Sequence, residues 1–404
     1  MTALAASAHE IFLFEMALKR REVSGPFASA TRTLVLLQRV IAAAKVNSAA
    51  DLLGSLRDLA QRLQKARPLE LALGNIVRRA MFFVRDAART IEEDVEVRKD
   101  TPSVQTPVKD ELHALFDSPL PSTPRKQRGK PLKVPELSFD EVSTPSPVTP
   151  LLSPDLEPAL TQHLSAQGAR KLREAITERL AELEYELKDA YQSVADQAEM
   201  HVHSGDVIMT LGHSQTVRNF LAHAASRGRH FSVIVADGSD GHGAEFALQL
   251  ASLQGVSAQV IPEAAVLAMM PQATKVVIGT EYVLANGGLV SRCGTRNLCL
   301  AAQLHARPVL VLGGMYKLAP LYTFGQHTFN ELLPPPTSPP VAADLAAEVD
   351  FVIPRFDYVE PALVALFITN TTASEGAAGG NGFAPHFVWK LLSGYYCEAD
   401  YELN

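Results

Sequence analysis

Gly205-Asp206-Val207-Ile208-Met209-Thr210-Leu211-Gly212-His213-Ser214-Gln215-Thr216 joins a short apolar run to a glycine, a serine and the start of an amphipathic segment. An apolar run with a helix-start signal directly after it reads as a strand buried in a parallel sheet and followed by a crossover helix. The alternation repeats down the chain. Phe231 to Ala236, Ala258 to Ile261, Lys275 to Ile278 and Pro308 to Leu312 read as further strands, with helices over Gln215 to Ser226, His242 to Gln254 and Thr295 to His305. Asp350 to Ile353 and Leu363 to Ile368 are expected as later strands, and Phe387 to Tyr396 as a closing helix. Residues 204–404 are therefore read as a doubly wound, mostly parallel α/β domain.

Upstream, the period changes from two to nearly four. Leu172, Ile176, Leu180, Leu183 and Leu187 lie along one face of an expected helix from Ala169 to His201, which dominates a connecting section at 159–203. Residues 99–158 hold twelve of the 26 prolines. They also carry repeated Ser/Thr-Pro pairs and the cluster Arg125-Lys126-Gln127-Arg128-Gly129-Lys130. Such a stretch cannot pack as a domain, so it is read as a disordered or extended insert with at most one short helix at Asp110 to Phe116. Its basic cluster is read as a solvated linker.

Residues 1–98 read as a helical bundle. Thr31 is a candidate cap for a helix with Leu34, Leu37 and Ile41, and Ser48 for one with Leu52, Leu53, Leu56, Leu59 and Leu63. Leu73, Ile76, Val77, Ala80 and Val84 mark a third, with Gly25-Pro26 and Pro68 as breakers. The fold class is thus an N-terminal helical bundle followed by an α/β domain.

Composition narrows the function. Of 404 residues, 47% are hydrophobic and 20% charged, with a net charge of −7. That balance excludes a polybasic nucleic-acid or membrane-surface role for the chain as a whole. The three cysteines, Cys293, Cys299 and Cys397, make no pairable framework and no structural zinc motif. There is no signal-peptide pattern and no apolar run of membrane-spanning length, so the cytoplasm is the expected compartment.

In a parallel sheet ligands bind beyond the carboxyl ends of the strands. Those ends are Gly212 to Thr216, Asp237 to His242, Gly279 to Gly288 and Gly313 to Lys317. Gly212, His213, Ser214 and Thr216 form a possible anion pocket at a helix N-terminus, or a plain strand-to-helix turn. A serine-hydrolase elbow would need a glycine where Thr216 stands. His242 with Glu245, His201 with His203, and Cys293 are weaker candidates for which a structural role is the better reading. No Walker A, dinucleotide-binding or zinc-protease motif occurs. No cofactor and no metal are expected.

Several short runs, in order, resemble the regulatory subunits of eukaryotic translation initiation factor 2B. They are Gly205 to Gly212, Val233 to Ala236, Val276 to Thr280, Leu284-Ala285-Asn286-Gly287-Gly288, Cys293-Gly294-Thr295, Ala301-Ala302, Pro308-Val309, Lys317-Leu318-Ala319-Pro320 and Phe329-Asn330-Glu331. Phe356 to Val359, Leu366 to Asn370 and Gly74-Asn75-Ile76-Val77-Arg78-Arg79 are similar to the branch of that family that pairs with the delta subunit. Only the Pro-rich insert has no counterpart.

The resemblance implies a Rossmann-like domain and a non-catalytic regulatory subunit. It implies assembly with delta and with the alpha, gamma and epsilon subunits of an exchange factor whose catalysis resides in epsilon. Initiation factor 2 would be the substrate, held by its alpha subunit and sensed for phosphorylation, with no direct contact to nucleic acid or membrane. Asn75, Arg78 and Arg79 become candidate contacts to that substrate. Tyr316, Leu318, Pro320, Leu321 and Tyr322 become candidates for the delta interface. The related sugar-phosphate isomerases carry a catalytic cysteine and an aspartate where Gly212 and Gly288 stand here, so isomerase activity is not expected.

Overall fold

The computed structural model describes residues 7–44, 46–100 (backbone alone for 92–100), 164–238, 241–323, 325, 328, 330–333, 352–370 and 382–403. The Pro-rich insert from 101 onward and its expected short helix lie outside these residues, as do Asp350 and Phe351, while residues 99 and 100 continue the preceding helix.

Six parallel strands form the main sheet: β1 (Val207–Leu211), β2 (Phe231–Asp237), β3 (Val256–Pro262), β4 (Lys275–Gly279), β7 (Val309–Leu312) and β10 (Leu366–Ile368). Their spatial order is β3-β2-β1-β4-β7-β10. Every pairing is parallel, from Val207 opposite Ser232 in β1/β2 to Phe367 opposite Val311 in β10/β7. The chain order reverses between β1 and β4, which places a crevice at their carboxyl ends.

The apolar runs predict this burial because alternate residues serve opposite faces. Met209, Ile234, Val276, Ile278 and Val311 pack in one layer, with Leu298, Cys299 and Ala302 of α8 (Thr295–Leu304) and Val388 and Leu392 of α9 (Val388–Tyr395). Ile208, Val233, Val235, Val277 and Leu312 pack in the other, against Val217, Phe220 and Leu221 of α6 (Gln215–Ser226) and Phe246 and Leu250 of α7 (Gly243–Ala251). The expected strand at Leu363 is shorter than read. Pro361–Leu363 is a 3-10 turn and pairing starts at Leu366, while Val352 and Ile353 belong to no strand.

The helical region consists of α1 (Ala8–Lys19), α2 (Pro26–Ala43), α3 (Ala49–Ala66) and α4 (Leu71–Asp100), joined by α5 (Ala166–Asp196). Ser48 caps α3 through a bond from the Asp51 amide at 3.1 Å. Thr31 does not cap α2. Proline at the first helical position starts that helix six residues earlier, with Gly25 as cap residue, and the Thr31 hydroxyl bonds back to the Phe27 carbonyl at 2.9 Å.

The leucine stripe of α5 is buried as read, from Leu172 to Leu187, each such side chain contributing roughly 1.5–3 kcal/mol. This helix packs beside α2 and α4 and at its far end against α6. Bundle and sheet region therefore share a core. The bundle's apolar cluster continues into Tyr282, Leu284, Val290, Tyr316, Ala319, Phe356 and Leu403.

A second, four-stranded sheet supplies these residues, in the order β8 (Leu318–Ala319), β5 (Tyr282–Leu284), β6 (Leu289–Arg292), β9 (Phe356–Val359). With strands of two to four residues it shows no readable periodicity. Gly287, at φ +78°, makes the tight turn between β5 and β6. Among the described residues no helix is long and apolar enough to cross a membrane.

Candidate functional site

The crevice between β1 and β4 is a cavity of about 330 Å³. Its floor comes from the sheet. After β1, Gly212 turns the chain at φ +56° and Ser214 caps α6 by accepting the Val217 amide at 3.5 Å. Thr216 is buried and His213 packs its ring edgewise on Phe246, 5.1 Å between centroids. At the end of β4, a Cβ on Gly279 would lie 2.5 Å from the Ser214 hydroxyl oxygen, so a larger residue there would displace the hydroxyl that caps α6.

Two of the charged groups, Glu281 and Lys317, come from strand ends named in the sequence, and Arg292 comes from outside them. Lys317 is buried and donates to the Thr280 carbonyl at 2.7 Å, and burial lowers its pKa. Arg292 and Glu281 complete the lining. The roof is the start of α2, Ser24 to Ala28, with Tyr191 of α5 and Tyr316. Phe27 lies 5.0 Å from the Tyr191 ring and 6.3 Å from Tyr316. Burial pushes both tyrosine hydroxyls above their ordinary range, so they act as neutral donors. Bundle and sheet thus each form part of one polar cavity. Only Gly313 to Lys317, flagged as a strand end, pointed to its cations.

Elsewhere the arrangement is inert. Burial and the neighbouring Asp357 and Glu263 push the Cys293 thiol up to about 11, leaving it protonated near neutral pH. His242 and Glu245 form an exposed pair at 3.6 Å. Among the described residues no group of His, Cys, Asp and Glu suits a metal. At Gly288 a Cβ would lie 2.6 Å from the Tyr358 ring and hydroxyl, and that hydroxyl accepts from Asn286 Nδ2 at 2.8 Å. Tyr358 occupies the space an acidic side chain would need.

The residues assigned to the substrate face of the bundle sit elsewhere. Asn75 and Arg78 are each 1% exposed. Asn75 donates to the Tyr316 carbonyl at 3.1 Å, and Arg78 to the carbonyls of Asp400 and Tyr401 at 3.2 and 3.0 Å. Burial lowers the Arg78 pKa to about 10, still charged near neutrality. Neither presents a surface to a partner, because α4 turns this face toward the sheet region. Arg79 is half-buried. Its guanidinium lies 4.0 Å from the Tyr395 ring centroid and donates to the Tyr395 carbonyl at 2.8 Å.

The segment read as a delta interface is divided. Tyr316, Leu318 and Pro320 are buried within the chain, Leu321 is half-buried, and Tyr322 is 58% exposed. Helical periodicity shows that one face of α4 is apolar; it does not show that the polar residues beside it bond to carbonyls more than 200 residues away.

A model of the initiation factor 2 subunit family matches residues 22–375. The chain belongs to that family. It is 32% identical over 394 residues to translation initiation factor eIF2B subunit beta of Dictyostelium discoideum, covering 96% of this chain and 95% of that one. To subunit beta of Schizosaccharomyces pombe it is 30% identical over 395 residues, 95% and 94% of the two chains. The likeness to subunit delta of the same yeast spans only 36% of this chain. The crystal structure of eIF2B beta from Chaetomium thermophilum superimposes with a TM-score of 0.64 at 22% identity, over 98% of this chain and 92% of that one. A chain of the tetrameric eIF2B beta2-delta2 complex from that fungus gives 0.62 at 23%, over 96% and 95%. The structural likenesses show the shared fold of this initiation factor 2 subunit family member, and the full-length sequence likeness is to beta subunits.

Proposed function

We propose that this chain is a regulatory, non-catalytic subunit of the beta type in the guanine-nucleotide exchange factor for initiation factor 2. In this reading it pairs with delta, assembles with alpha, gamma and epsilon, contacts the substrate's alpha subunit and responds to its phosphorylation. The observation that carries it is the 32% identity to subunit beta along 96% of the chain. Tyr358, closing the space beside Gly288, supports the absence of isomerase chemistry. Of the candidate contacts, Arg79 keeps part of its surface for the substrate and Tyr322 keeps most of its own for delta.

Coexpression of the full chain with delta tests the reading: the two are expected to co-elute as one complex. A chain that elutes alone, or ribose or methylthioribose phosphate turnover above a heat-killed control, would refute it.

A second function of the crevice is favoured by one observation, the enclosed Lys317 beside Arg292 in a cavity that also receives the start of α6. We read it as a vestigial anion pocket that has kept its charge and lost its acid-base groups.

A further inference from the structure

Residues 397–403 lie on the bundle like a bound peptide. Their root belongs to the sheet region, where the Tyr396 hydroxyl donates to the Leu318 carbonyl at 2.9 Å. From Cys397 onward the side-chain bonds and ion pairs of Asp400, and the bonds to the Asp400 and Tyr401 carbonyls, come from α3 and α4, while the Tyr401 ring rests on the sheet-region core. Asp400, with no exposed surface, is held by Arg85 through two bonds of 2.9 Å and by Arg57 at 3.1 Å. Arg78 binds the carbonyls of Asp400 and Tyr401. Leu403 enters the bundle core against Gly74, where a Cβ would meet its Cδ1 at 3.3 Å.

Between these anchors the only regular structure is the 3-10 turn Glu398–Asp400. A segment with so little internal hydrogen bonding owes its order to what it binds, and such segments open separately from the global core. Its strongest contact is the paired, doubly hydrogen-bonded carboxylate of Asp400, a geometry that arginine supplies and lysine cannot.

We propose that Cys397–Leu403 is a strap that locks the helical bundle onto the sheet region, with Asp400 as its catch, and that it opens as a unit of its own ahead of global unfolding. Opening bares Arg57, Arg78 and Arg85 together, so the released state presents a basic groove where the locked state presents a neutralised one.

Two buried cysteines make this measurable. Cys397 lies in the strap and Cys299 in α8 of the sheet region. The native full-length chain is treated with iodoacetamide, and alkylation of each cysteine is followed by mass spectrometry for the unmodified chain, Asp400→Asn and Arg85→Lys. Cys397 is expected to react at least tenfold faster in Asp400→Asn and faster, by a smaller factor, in Arg85→Lys, with Cys299 unchanged in both. If Cys299 accelerates in step with Cys397, the segment is part of the global core and the strap is refuted. If Cys397 does not accelerate, Asp400 is not the catch. Should Asp400→Asn not accumulate as folded protein, Arg85→Lys decides between the same outcomes.

Discussion

Asn75 of α4 donates its side-chain amide to the backbone carbonyl of Tyr316 across 3.1 Å. The sequence reading assigns these residues to two different partner surfaces, and in the fold they bind each other. Around them lie the Arg78 bonds to the chain end, the Arg79 bond to Tyr395 and a bond between Glu70 and the Tyr282 hydroxyl at 2.5 Å. The run Gly74 to Arg79 is a seam between bundle and sheet region. An unpaired buried donor or acceptor costs about 1–3 kcal/mol, so correct docking is enforced by more than apolar contact.

Arg78→Ala is accordingly expected to act on stability. It leaves the carbonyls of Asp400 and Tyr401 without their donor and should cost roughly 2–3 kcal/mol in urea unfolding. Arg79→Ala, which loses a cation over the Tyr395 ring, should cost about 1 kcal/mol. Equal, negligible effects would mean that the seam does not hold the two parts together.

Gly74→Ala tests the close approach in the seam. A Cβ there would lie 2.9 Å from both Arg78 Nη1 and Gln64 Nε2. Alanine should gain about 1 kcal/mol in an open helix interior, whereas overpacking costs roughly 1–3 kcal/mol. Because Arg78 is fixed by its carbonyls, the cost is expected to win and the melting temperature to fall. A rise would show that the site can relax.

Leu318→Asp and Tyr322→Asp should separate core from surface. Leu318 is 1% exposed, and a buried unpaired carboxylate there is expected to prevent folding of the chain itself. Tyr322 is 58% exposed, so its replacement should change stability by no more than about 0.5 kcal/mol while weakening coelution with delta. Intact coelution with Tyr322→Asp would move the interface elsewhere.

Glu70 predicts a pH dependence. Burial raises its pKa above 4.5, followed by the opposing hydrogen bond from Tyr282 and the Arg67 charge; Glu281 and Ser29 also face it. A carboxyl with a raised folded value stabilises fully below its unfolded pKa and loses that contribution as pH rises through the folded one. The stability of the unmodified chain relative to Glu70→Gln should therefore decline as pH increases above about 4.5. Urea midpoints for both, taken from pH 4 to 8, check this; parallel curves would contradict it.

The parallel sheet was legible because β1 and β2 are five and seven residues of largely apolar sequence, each followed by a glycine. The second sheet was not, since β5, β6, β8 and β9 are too short for a period and two of its three pairings span long separations, as Ser291 does with Asp357. Ser214 and Thr216 were readable as part of a crevice because strand ends are where crevices form. Lys317 was readable on the same ground, as the last residue of a strand end, whereas the roof at Gly25 to Phe27 and the grip on Asp400 depend on how bundle and sheet meet, and no local pattern encodes that meeting.

The function proposed above requires that this chain make the exchange factor responsive to the state of its substrate. The direct measurement is guanine-nucleotide release from initiation factor 2, catalysed by the exchange factor reconstituted with and without this chain, using substrate with unphosphorylated or phosphorylated alpha subunit. The account predicts that phosphorylation slows release when the chain is present and has little effect when it is left out. Equal inhibition by phosphorylated substrate in both preparations would contradict it.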